Sequence, residues 1–171
     1  MLMDAGLRDA VLAHFHFWKA VADAINPLLG LSLLVVAARM RRDGAHRDGS
    51  RQALRFLVQS VLSLVLAWAC VRGLRSLHLG GHGSQFPSGH MAFAVSAALS
   101  LILWKRNLVR VLLPLLVFYA WLMTALRFHT WLDLLGGVAA SVFVWCLCRS
   151  ALNAGFRETT LEEVGTSPVS S

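Results

Sequence analysis

The sequence predicts an all-α integral membrane protein: a bundle of about five transmembrane helices preceded by an N-terminal interfacial helix. Three observations carry this expectation. The chain of 171 residues is 57% hydrophobic, with a mean hydropathy of +0.61. Apolar runs near the ~20 residues that cross a bilayer recur along it. Most of its 16 Lys and Arg fall between those runs rather than inside them. A net charge of +7 would point to nucleic acid in a soluble chain. Here the basic loops orient spans in an anionic membrane, and no nucleic-acid partner is expected.

Residues 1–20 place Leu7, Val11, Leu12, Phe15 and Trp18 at helical spacing, with Asp4, Arg8, Asp9, His14 and Lys19 among them. That pattern suits a helix lying in the interface. Asp4, Asp9, His14 and His16 interrupt any apolar core of a cleavable signal. The membrane domain is expected over 21–150, its first span running from about Trp18 to Ala38. Asn26-Pro27 should bend that span, and Asp23 and Asn26 should face other helices or the outer interface. Residues 39–55 read as a polar hairpin carrying Arg39, Arg41, Arg42, Arg47, Arg51 and Arg55, with Gly44 and Gly49 as turn residues.

The second span is expected from about Phe56 to Val71, followed by a loop at 72–86 rich in Gly, His and Arg. The third span, about Gly89 to Trp104, starts directly after Pro87-Ser88. Lys105-Arg106-Asn107 turns the chain into the fourth span, Leu108 to Leu126, and the fifth runs from about Thr130 to Cys148. Gly136, Gly137, Ala140 and Ser141 give the fifth span a small-residue face that lets a neighbour approach closely. The tail, 151–171, is polar and acidic in Glu158, Glu162 and Glu163, and is expected to be disordered. Cys70, Cys146 and Cys148 all lie within or at the ends of spans, as small buried thiols rather than a disulfide framework.

Sidedness follows from the basic residues. One side holds eleven Lys and Arg: the six of the first hairpin with Lys105, Arg106, Arg110, Arg149 and Arg157. The other holds five: Arg8, Lys19, Arg72, Arg75 and Arg127. The positive-inside rule places the first set in the cytoplasm, so the loop at 72–90 and the junction at 127–133 share the outer face. Three of the five outer basic residues, Arg72, Arg75 and Arg127, flank these two stretches.

Both stretches carry residues suited to phosphate. Pro87 and Ser88 read as the start of a helix, with Ser88 as N-cap. Free amides and the positive end of the helix dipole then face the outer layer, Gly89 lets an anion approach the backbone, and His90 lies in the first turn. In the second stretch His129 and Asp133 are four residues apart, the spacing of neighbours on one helical face. A carboxylate bonded to one ring nitrogen of a His fixes its tautomer and frees the other nitrogen for attack. Arg127 adds a permanent cation. Each feature has a plainer reading, as a turn into a helix, a cap at Asp133 or a snorkelling Arg127. Their convergence at two adjoining junctions favours a site.

Phe86-Pro87-Ser88-Gly89-His90 and His129-x-x-x-Asp133 resemble the second and third signature motifs of the type 2 phosphatidic acid phosphatase (PAP2) superfamily. That superfamily includes lipid phosphate phosphatases, bacterial polyprenyl diphosphate phosphatases and vanadium haloperoxidases. The resemblance covers about 74–148 and agrees in order, sidedness and helix spacing; His129-Thr130-Trp131 followed by Gly136-Gly137 is also similar to the dolichyl diphosphate phosphatase branch. It implies that His129 is the nucleophile forming a phosphohistidine, that Asp133 orients it, and that His90 protonates the leaving oxygen and then activates water. Ser88 and the Gly89 backbone would hold phosphate oxygens, and neither metal nor cofactor is implied.

Two departures from the family pattern mark this sequence. The third-motif Arg position, six before the nucleophile, is Met123, and Arg127 is expected to serve the phosphate from one turn further on. The first motif, Lys and six residues then Arg-Pro, is matched most nearly by Arg75, six residues, then His82-Gly83. Arg75 and His82 are thus phosphate-binding candidates, with Arg72 competing for the Lys role. A His82 in that place would make activity fade as pH rises through neutrality.

The expected function is a membrane lipid phosphatase, and the expected setting is a bacterial inner membrane with the site on the periplasmic face and the C-terminus cytoplasmic. Its partners would be a lipid phosphate and the bilayer. The first-choice substrate is undecaprenyl or another polyprenyl diphosphate, followed by phosphatidic acid and phosphatidylglycerol phosphate. The alternatives are a lipid phosphotransferase of the same superfamily, a non-catalytic scaffold, and a zinc-binding protein using His78, His82, His90 and His129.

Overall fold

The structure, a computed structural model, describes residues 13–43, 47–77 and 85–165, with 47–48 and 153–165 described by backbone alone. Five long helices follow in order: α1 Phe15–Asp43, α2 Arg47–Ser76, α3 Gly89–Trp104, α4 Val109–Ala125 and α5 Trp131–Gly165. A 3-10 turn, Arg106–Leu108, joins α3 to α4. Four segments are long and apolar enough to cross a membrane: Phe15–Asp43, Gly49–Ser76, Arg106–Ala125 and Trp131–Leu152. Together with the shorter apolar α3 they make the all-α membrane bundle the sequence predicts.

The bundle is built around α3. At 16 residues it spans about 24 Å, short of a full crossing of the hydrocarbon core. Its sequence is dominated by Ala, Ser and Leu, and Ala92, Ala94, Ser96, Ala97, Ala98 and Ser100 are buried on several of its sides. Small side chains let neighbouring backbones come close, which is how helices gain packing energy where water supplies no driving force. Helices α1, α2, α4 and α5 all pack on it, α4 the most sparingly. Outward-facing Leu31, Leu34, Val35, Leu54, Val58, Val61 and Val65 are exposed, as lipid-facing residues are.

Several boundaries differ from the sequence expectation. The polar hairpin expected at 39–55 is largely helix: α1 continues to Asp43 and α2 is helical from Arg47. Arg, Gln, Ala and Leu are strong helix formers, so both helices project beyond the apolar zone with their Arg side chains reaching water. The helix is continuous through Pro27. Asn26 Nδ2 donates to the Tyr119 hydroxyl on α4 at 3.2 Å, and Asp23 pairs with Lys19 at 2.6 Å, so both polar residues of α1 have structural partners. The backbone of α5 is helical through Gly165, beyond the span end expected near Cys148. Residues 1–12, the greater part of the expected interfacial helix, lie outside the described residues; 15–20 are continuous with α1.

Candidate active site

Ser88 starts α3 as its N-cap, with extended backbone angles of φ −71° and ψ 115°. Its hydroxyl accepts from the Met91 amide at 3.3 Å and its carbonyl from the Ala92 amide at 3.1 Å, the local interactions expected of a Ser at a helix start. Among the described residues this leaves the Gly89 and His90 amides without a protein acceptor, at the positive end of the helix dipole. No acidic residue lies in this first turn to compete with an anion. Ser88 itself is fully buried, so its hydroxyl serves the helix and retains one proton to donate.

The junction between α4 and α5 closes by a different device. The Phe128 amide donates to the Met123 carbonyl at 3.0 Å and the Arg127 amide to the Thr124 carbonyl at 3.1 Å, the paired bonds of a Schellman C-cap. Arg127 occupies the left-handed position of that cap, with φ 58°, where Gly is the usual residue. This corrects the placement expected for Arg127 one turn along the helix face: α4 ends at Ala125, and the exposed Arg127 departs from its axis. Met123, at the family's Arg position, is only 2% exposed and packs into the core.

Thr130 and Asp133 then form a reciprocal cap on α5. Asp133 Oδ2 accepts from the Thr130 amide at 2.8 Å, and the Asp133 amide donates to Thr130 Oγ1 at 3.3 Å. His129 thus precedes the helix rather than sharing its face. Its Nδ1 lies 4.0 Å from Asp133 Oδ2, too long for a hydrogen bond, and has no hydrogen-bond partner among the described residues. The carboxylate is close enough to orient the ring only after a shift of about 1 Å, a tightening usual when a substrate arrives. The Thr-x-x-Asp pattern at 130–133 is readable as a capping box, and Thr130 is the residue the sequence reading left out.

The two stretches meet. The Ser88 amide donates to the Asp133 carbonyl at 2.8 Å. The His90 and His129 rings lie with centroids 6.0 Å apart, tilted 56°. Gly137 permits this approach, because a Cβ there would collide with the Ser88 carbonyl and crowd the Ala92 amide at 3.2 Å. At Gly136 the obstacle would be the Phe86 ring. His90 is exposed, whereas the His129 side chain is 2% exposed. Burial pushes the His129 ring below the usual histidine range, with His90 acting in the same direction; Asp133 opposes them and the Arg75 guanidinium adds to the lowering. A neutral imidazole is the form that can attack phosphorus.

Arg75 reaches this place from the end of α2. Its Nε and Nη2 donate to the Pro87 carbonyl at 3.1 and 2.9 Å, and Nη2 also to the Gln85 carbonyl at 3.1 Å. The guanidinium fastens the segment before α3 through Nε and Nη2, and its Nη1 has no acceptor among the described residues. Arg72 instead lies over the Trp68 ring, 5.3 Å from its centroid. His78 and His82 lie outside the described residues, among which no three His, Cys, Asp or Glu converge as a metal site would require.

A family model described as the PAP2 superfamily matches residues 73–157. The chain belongs to the PAP2 superfamily. No curated protein and no solved structure matches it. The PAP2 segment takes in the end of α2, all of α3 and α4 and the spanning part of α5, hence both His residues, Asp133, Ser88, Gly89, Arg75, His82 and Arg127. Arg72 falls just before it. As a membrane-embedded member of PAP2, the protein is consistent with a lipid phosphatase.

Proposed function

We propose that this chain hydrolyses a lipid phosphate or diphosphate headgroup through a phosphohistidine at His129. The observation that carries the reading is the facing pair His90 and His129, 6.0 Å between centroids, at the unblocked N-terminus of α3. One ring nitrogen of neutral His129 attacks phosphorus, and the bond from phosphorus to the leaving oxygen breaks as His90 protonates that oxygen. His90, now neutral, takes a proton from water, the hydroxide displaces His129, and inorganic phosphate leaves. The Gly89 and His90 amides, Arg75 and Arg127 stabilise the charge gathering on the phosphoryl oxygens, without a step that calls for a metal.

The lipid part of the substrate finds an apolar surface beside the site, since Trp131, Leu132 and Leu135 on the first turns of α5 are 50%, 72% and 60% exposed. Little soluble protein surrounds the junctions, so recognition rests on the phosphate and a tail between helices. Polyprenyl diphosphate is the first-choice substrate, with phosphatidic acid and phosphatidylglycerol phosphate next. The Lys and Arg distribution supports a site on the outer face, and the reading takes the membrane to be a bacterial inner membrane. The test is release of inorganic phosphate from these lipids by the purified chain, with His129→Ala as blank. Transfer of the phosphoryl-bearing group to an alcohol, without free phosphate, would replace hydrolase by phosphotransferase.

A further inference from the structure

At the end of the bundle remote from the two histidines, α1 and α2 leave between them a groove of about 490 Å³. Its walls have a regular construction. From α1 come Leu34, Ala37, Ala38 and Arg41; from α2 come Ser50, Ala53, Leu54 and Leu57. Each set has the i, i+3, i+4, i+7 spacing of a single helical face. The antiparallel run of the helices puts the two polar members, Arg41 and Ser50, at the same end, and the apolar Leu34 and Leu57 at the other. Seven residues separate Arg41 from Leu34, about 10 Å along the groove. Ala37, Ala38 and Ala53 hold the groove open, having too little side chain to fill it.

The groove is therefore apolar along most of its length and cationic at one end, which lies at the Arg-rich ends of two segments apolar enough to cross a membrane. Arg41 is exposed and has no ion-pair partner among the described residues; Asp43, the acid of the same helix end, does not line the groove. Exposed Arg39, Arg42 and Arg51 lie on the same ends of these two helices, though they do not line the groove. The first turns of α2, whose amides carry the positive end of its dipole, lie at the same end. A phosphodiester on a hydrocarbon chain matches this gradient in both charge and polarity, whereas a zwitterionic headgroup brings its own cation against Arg41.

We propose that the α1–α2 groove is a binding site for one anionic phospholipid of the leaflet at the Arg-rich side, its phosphate at Arg41 and Ser50 and a chain running toward Leu34 and Leu57. It is separate from the phosphatase site and does not depend on that reading.

The experiment is native mass spectrometry of the full chain in detergent. Phosphatidylglycerol, phosphatidylcholine with the same acyl chains, and inorganic phosphate are added in separate arms. The expected result is retention of one phosphatidylglycerol several-fold above phosphatidylcholine. Arg41→Gln should bring the two lipids level, and Ala38→Phe, which fills the groove from an exposed position, should lower both. Equal retention of the two lipids by the unaltered chain would overturn the proposal. So would phosphatidylglycerol retention that neither substitution changes, or inorganic phosphate displacing the lipid completely. Both variants should keep the phosphate-release rate of the parent, because neither residue approaches the histidines.

Discussion

The amide of Ser88 donates to the carbonyl of Asp133 across 2.8 Å, joining the N-cap of α3 to the first turn of α5. This bond fixes the distance between the two sequence stretches that hold His90 and His129. Gly137 makes it possible, since one methyl group there would meet the Ser88 carbonyl. By contrast, a Cβ at Gly89 would find only Val71 Cγ1 at 3.8 Å, an ordinary contact.

The two glycines are therefore predicted to fail differently. Gly137→Ala should force α5 away from α3, lowering both thermal stability and turnover. Gly89→Ala should fold normally and lose activity chiefly through a higher KM, because the added methyl crowds only a bound phosphate. Thermal unfolding in detergent alongside phosphate release separates them. A Gly89→Ala enzyme with unchanged kinetics would remove the phosphate from that backbone.

His129 is the proposed nucleophile, and its loss is predicted to cost on the order of 10³-fold or more in rate, with the folded protein still extractable. His90→Ala should cost about 10²- to 10⁴-fold, the range for a general acid or base. Acid-labile phosphate on the quenched enzyme should be found in the parent and absent from His129→Ala. A His129→Ala enzyme at parental rate would end the assignment.

The pH profile follows from the same residue. Because the folded ring is held below its ordinary value, it stays neutral into mild acid, and the acid limb of kcat/KM should lie below pH ~6.5. Asp133 is the charge resisting that shift, so Asp133→Asn should move the limb lower still while reducing the rate. Stability has the matching sign: as pH falls through ~6.5 the unfolded chain takes up the proton first, and stability declines until the folded ring also protonates. Measurement of kcat/KM from about pH 4.5 to 8 in both proteins checks the order of the limbs.

How much of this was legible in the sequence depends on the range of the cause. The limits of α3 were readable, because Ser88 caps one end and Lys105-Arg106-Asn107 breaks the other by local chemistry. The limits of α1 and α2 were not, because hydropathy marks the membrane and helix propensity carries the chain past it. In the site, residue types and order could be read from two short motifs. The latching of Arg75 onto Gln85 and Pro87, and the close pass of Gly137 over Ser88, could not. The first bridges the irregular stretch between α2 and α3 and the second joins segments far apart in the chain, and no local pattern encodes either.

Arg127 offers the sharpest separation of stability from function. Its φ of 58° places a large side chain where a left-handed backbone costs an L-residue about 1 kcal/mol, and a Schellman cap ordinarily takes Gly there. Nothing in the cap uses the guanidinium, since the bonds that close α4 come from the Arg127 and Phe128 amides. If the side chain serves a bound phosphate, as proposed, Arg127→Gly should raise stability by about 1 kcal/mol and still lose activity. Arg127→Lys should keep part of the rate with the strain unchanged, because an ammonium meets phosphate as a point charge without the guanidinium fork. A more stable Arg127→Gly protein with full activity would show that Arg127 takes no part in phosphate binding.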